Sequence, residues 1–116
     1  MEGKKIYLQP KGALLDAIHD IVELQRGRKL VTDTPRGTVQ FIVSMYGFKW
    51  ELRFTVTDIG KNRCRVRLEI NGEESGQDKI IYRQFALLDS MLIWGANVEI
   101  AEQETDNAEQ YGRKRS

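Results

Sequence analysis

The residues able to do chemistry are few and scattered. The chain carries one cysteine, Cys64, and one histidine, His19. Cys64 lies in NRCRVRLEI, residues 62–70, where Cys64, Val66, Leu68 and Ile70 alternate with Arg63, Arg65, Arg67 and Glu69. A thiol attacks only as an exposed thiolate, and apolar surroundings hold it protonated. Successive strand residues point to opposite faces, so Arg63 and Arg65 flank Cys64 in sequence without facing it. Cys64 therefore reads as a buried structural residue. His19 sits beside Ile18 with Asp16, Asp20 and Glu23 close in sequence. On a helix only Glu23, four residues on, is in reach. One imidazole with surface carboxylates is a poor metal set, so His19 reads as solvated or capping.

Phosphate chemistry finds no support. DIGKNR and NGEESGQD contain glycines but match neither a P-loop nor a dinucleotide fingerprint. Glu73 and Glu74 would repel a phosphate. Ser44, Ser75, Ser90 and Ser116 lack the strand-turn-helix setting of a nucleophile elbow. No cofactor and no metal is expected, and the chain reads as a binding or interaction domain rather than an enzyme.

Surfaces are the remaining route to function. Arg53 on one expected strand and Arg63, Arg65 and Arg67 on the next form a local basic patch, an alternative site for nucleic acid or another anionic partner. Single-strand binders stack bases on aromatic side chains, and this face has none. Glu51 is expected near Glu69 or Arg67, where cross-strand pairs would neutralise the patch. The second candidate surface is apolar. Val43, Trp50, Phe54, Phe85, Leu88, Met91 and Trp94 would line any space left between a helix and the sheet, as a site for an apolar small molecule or a partner. Met45, Tyr46, Phe48 and Trp50 add aromatic surface at one edge.

The elements that must position these residues follow from periodicity. KKIYLQP, 4–10, predicts a short strand with Ile6 and Leu8 on one face, ended by Pro10. Residues 11–27 space Leu14, Ala17, Ile18, Ile21 and Val22 as a helix, with Gly27 as its stop. A brief strand is expected near Leu30 to Thr32, before Pro35 and Gly37. TVQFIVSMY, 38–46, WELRFTVT, 50–57, and the strand holding Cys64 alternate cleanly. GFK, DIGKN and Asn71-Gly72 supply turns. Residues 75–95 predict a second helix, with Ser75 and Asp78 as a capping box or rival caps. Its stripes are Ile81, Phe85, Leu88, Leu92 and Ile80, Leu87, Met91, Trp94, more than one apolar face needs. The second stripe must meet the first helix, a ligand or another chain. ANVEIAE, 96–102, could form a short strand or a further helical turn.

The chain has 116 residues, 41% hydrophobic and 30% charged, which suits one soluble domain with its own core. The expected domain is 1–101, with 102–116 a polar tail. A net charge of +1 excludes a global field that would draw the protein to nucleic acid or membrane. One cysteine fits a reducing compartment, no signal-peptide pattern opens the sequence, and no apolar run approaches the roughly 20 residues of a membrane span. A cytoplasmic protein is expected.

Together these elements predict a two-layer α+β domain, β-α-β3-α or β-α-β4-α, whose antiparallel sheet is packed on one face by two helices. Over residues 4–95 this order resembles the TATA-binding-protein repeat and the helix-grip (Bet v 1/START-like) family, in which a long C-terminal helix lies across a curved sheet. The resemblance implies a helix-sheet interior able to hold an apolar ligand. The residues themselves point to a small non-catalytic domain acting through its helix-sheet side, as a homo-oligomer, a protein partner or a binder of an apolar molecule, with the arginine face as the alternative.

Overall fold

The computed structural model describes residues 1–72 and 75–96, with side chains through Leu92. The element order is β1 (Glu2–Tyr7), α1 (Lys11–Leu24), β2 (Arg28–Asp33), β3 (Thr38–Met45), β4 (Phe48–Gly60), β5 (Arg63–Asn71) and α2 (Gln77–Ala96). The strands form one antiparallel sheet in the order β1-β5-β4-β3-β2, so the first strand closes beside the last. This is the α+β architecture expected, with five strands. The expectations for Glu73, Glu74, residues 97–101 and the polar tail lie outside the described residues.

Alternation decides which face is buried. Val39, Phe41 and Val43 of β3, Trp50, Leu52, Phe54 and Val56 of β4, and Cys64, Val66, Leu68 and Ile70 of β5 are all buried. Phe41 and Phe54 stack at 6.0 Å, and Phe85 of α2 meets Phe54 edge-on at 6.2 Å. The β3–β4 turn is two residues long. Tyr46 (φ 54°) and Gly47 (φ 82°) both take the left-handed conformation of a type I′ hairpin. The turn is therefore Tyr46-Gly47 rather than the expected GFK, and Phe48 already pairs with Met45. At the β4–β5 turn Asn62 takes positive φ (48°) and Gly60 does not.

The first strand is Glu2–Tyr7 rather than the expected 4–10, so Leu8 lies beyond it and shares no strand face with Ile6. Lys4 and Ile6 stand opposite Arg67 and Arg65, on the outer face. Gly3, Lys5 and Tyr7 point inward, and Tyr7 joins the core while Leu8 is exposed.

Helix α1 presents Leu14, Leu15, Ala17, Ile18, Ile21 and Val22 to the core. It ends in a Schellman motif: the Gly27 amide donates to Val22 O (2.8 Å) and the Arg26 amide to Glu23 O (2.9 Å), with Arg26 at φ 57°. The stop is thus three residues before Gly27. Helix α2 starts one residue after Gly76, whose carbonyl accepts the amides of Lys79 and Ile80, rather than at Ser75. Ile80, Gln84 and Leu88 are fully buried along its inner line.

Candidate functional site

Between α2 and the β3–β4 hairpin the surface opens into a cleft of about 660 Å³, lined by Tyr46 from the hairpin and Asp78, Lys79, Tyr82, Arg83, Ala86, Leu87 and Ser90 from α2. Helical spacing makes this wall: residues three and four apart share a face, so Lys79, Tyr82, Arg83, Ala86 and Ser90 run along the side of α2 turned from the core. The type I′ turn holds Tyr46 out, 64% exposed, and Tyr82 opposes solvent at 77%. Leu87, half-buried, packs against the core from the cleft's inner wall. The site pairs aromatic and aliphatic surface with two cations and one carboxylate. It suits a molecule with an apolar body and a negative group.

Two polar ties fix α2 in place. Gln84 and Gln25 exchange amide hydrogen bonds at 2.8 and 2.9 Å, joining α2 to the end of α1. On the other flank Asp89 accepts from Lys5 (2.5 Å) and from the Tyr7 hydroxyl (2.7 Å), joining α2 to β1. Next to that tie a Cβ on Gly3 would come within 2.7 Å of Ile81 Cγ2, so glycine lets α2 lie close on the sheet edge. Neither tie leaves a periodic sign on α2, because Gln84 and Asp89 are polar residues on an apolar helix face.

The apolar residues expected to line a ligand space are brought together. Val43, Trp50, Phe54, Phe85 and Leu88 are all buried in one core cluster, and Met91 is half-buried against it. The Trp50 indole N–H donates to Met45 O at 2.9 Å, and the Phe48 ring meets Trp50 edge-on. The Trp94 side chain lies outside the described residues. Sequence reasoning missed Lys79, Tyr82 and Arg83 as site residues. Their signal was the polar-aromatic row opposite the apolar stripes, which on a helix reads as solvated surface.

The arginine face carries its own countercharge. Arg53 stands opposite Glu69, and its Nε and Nη2 donate to one carboxylate oxygen at 3.0 and 2.8 Å. Arg67 grips Glu2 through Nε (3.0 Å) and Nη2 (2.9 Å) and lies 3.7 Å from Glu69. The hydrogen bond from Arg67 pulls the Glu2 carboxyl below its ordinary range. Glu51 does not take the expected place. It pairs in register with Asn71 and accepts a hydrogen bond from Gln40. Arg65 lies between Ile6 and Thr57, and Arg63 is half-buried.

Neither candidate nucleophile nor metal ligand is part of the cleft. Cys64 is buried, and burial, aided by a hydrogen bond to Asp58 (3.4 Å), pushes its thiol up to about 11. His19 is half-buried, with its Nδ1 enclosed and without a hydrogen-bond partner among the described residues. Among the described residues no three His, Cys, Asp or Glu side chains cluster as a metal site, and no helix is long and apolar enough to cross a membrane.

No protein-family model matches the chain, and no curated protein matches it in sequence. Solved structures do. Ara h 8.0201, a Bet v 1 family protein, is similar at a TM-score of 0.50 and 8% identity, over 84% of this chain and 97% of that one. The di-domain ARO/CYC StfQ from the steffimycin biosynthetic pathway is similar at a TM-score of 0.45 and 10% identity, over 83% of this chain and 44% of that one. The first likeness shows that five strands and two helices here follow a Bet v 1-like, helix-grip arrangement.

Proposed function

We propose that the protein is a non-catalytic binding domain that takes a small amphipathic molecule, an apolar body with an anionic group, on the α2 side of the sheet. The observation that carries this reading is the cleft, in which exposed Tyr46 and Tyr82 and half-buried Leu87 stand beside Lys79 and Arg83. The apolar body rests on the tyrosines and Leu87, and the anionic group meets Lys79 and Arg83. The core residues Val43, Trp50, Phe54, Phe85, Leu88 and Met91 form the layer behind that wall. A ligand held by them would have to part α2 from β4, because Phe85 and Phe54 are in ring contact. The cleft needs no such opening.

Anilinonaphthalene sulfonate matches this chemistry and serves as the probe. Saturable binding is expected, with Tyr82→Ser weakening it roughly fivefold, as losing about 1 kcal/mol of aromatic contact requires. Arg83→Glu should weaken it as well. Equal affinity of wild type and both variants would place the probe elsewhere and refute the cleft.

A further inference from the structure

We propose that β2 is the contact strand of a homodimer, in which the β2 edges of two copies pair antiparallel about a two-fold axis between Leu30 and Val31. Among the described residues strand β2 ends the sheet, and Arg28 to Thr32 are all exposed, Leu30 at 38% and Val31 at 48%. An edge strand offers unpaired N–H and C=O groups to a further strand.

The register of β2 decides what it can meet. Opposite residues of an antiparallel pair share a face, so a two-fold axis in a regular strand cannot pair residues five apart. Strand β2 is not regular, because its register against β3 slips between Lys29 and Val31. Arg28, Val31 and Asp33 stand opposite Ile42, Gln40 and Thr38 and share the outer face. Lys29 and Thr32 stand opposite Phe41 and Val39 and share the inner one. The slip therefore puts Arg28 and Asp33 on one side. An axis between Leu30 and Val31 then sets Arg28 against Asp33 of the second copy, twice. It also sets Lys29 against Thr32, and Leu30 against Val31 at the centre. Opposite charges flank an apolar centre, and the strand is complementary to itself.

The other edge is not. In β1 the central two-fold registers set Lys4 or Lys5 against its own copy, and like charges directly opposite are repulsive. Pairing through β2 is closed by symmetry and joins the two sheets into one. A six-residue contact is small, so the association is expected to be weak and concentration-dependent.

The test is sedimentation of the full chain from about 10 µM to about 1 mM, the range in which a weak dimer forms. The wild type is expected to go from monomer to dimer. Arg28→Asp and Asp33→Arg should each shift the midpoint at least tenfold higher. An equimolar mixture of the two should dimerise again, because both contacts become complementary. Asp33 also accepts the Arg36 amide (3.1 Å) in the following turn. Leu30→Lys, away from that turn, is therefore the second probe and should abolish association alone. A wild type that stays monomeric across the range, a species larger than a dimer, or a mixture that stays monomeric while both variants keep wild-type circular dichroism would overturn the proposal.

Discussion

At the scale of single residues, the chemistry of the chain is set by where alternation puts each side chain. Cys64 falls on the inner face of β5 and its thiol is held protonated to about 11 against an ordinary 9.0, chiefly by burial. The native thiolate fraction is then about a hundredfold below that of a free thiol, so iodoacetamide at pH 8 should modify Cys64 only in the unfolded chain. A thiol pKa raised by folding stabilises fully below the unfolded value. That contribution is lost as pH rises from 9.0 towards 11. Thermal melts of wild type against Cys64→Ala should diverge in that alkaline window and run parallel below it. The arginines behave as sheet surface. A double-mutant cycle on Arg53 and Glu69, 48% and 28% exposed, should return a coupling of about 0.2–1 kcal/mol. The inert cysteine was legible because four apolar residues alternate around it. The partners of the arginines were not, since a shift of two residues in register would set Glu51 in place of Arg53 opposite Glu69.

At the scale of elements, the three central strands were legible and the edge strands much less so. β3, β4 and β5 each bury one face, and burial writes a period of two into the sequence. β1 turns Gly3, Lys5 and Tyr7 inward, of which only the tyrosine is a large apolar residue, while its aliphatic Ile6 faces outward. Its inner face is defined by partners on α2 that lie more than 70 residues away, and Lys5 meets Asp89 there. Helix α2 was legible as apolar on more than one side. Its ties were not. Gln84 is fully buried and doubly bonded to Gln25. Gln84→Ala leaves a cavity and takes the donor from Gln25 Oε1, while the Gln25 amide N–H keeps Ile21 O, so chemical denaturation should show a loss of about 2–3 kcal/mol. Gln84→Leu, which fills the cavity but not the hydrogen bonds, should lose less. Asp89→Ala should cost about 1–3 kcal/mol, because Lys5, with its side chain 12% exposed, is left unpaired. If both alanine variants unfold with wild-type midpoints, α2 is not held by these ties.

At the scale of the whole molecule, the helix-grip arrangement places one long helix over a sheet whose first and last strands are neighbours. The residues that could have lined a cavity under the helix are buried, and Phe54 and Phe85 are in ring contact. Whether helix and sheet close on one another is a matter of packing geometry, which periodicity does not encode. The open surface is displaced to the outer side of α2, against the hairpin tip. The central claim is that this cleft receives an amphipathic anion. Backbone amide shifts of the labelled protein, followed during titration with anilinonaphthalene sulfonate, test it most directly. Saturable shifts centred on Tyr46, Lys79, Tyr82, Arg83 and Leu87 are expected. Shifts centred on Trp50, Phe54 and Leu68 with Tyr82 unmoved, or no saturable shift at all, would contradict it.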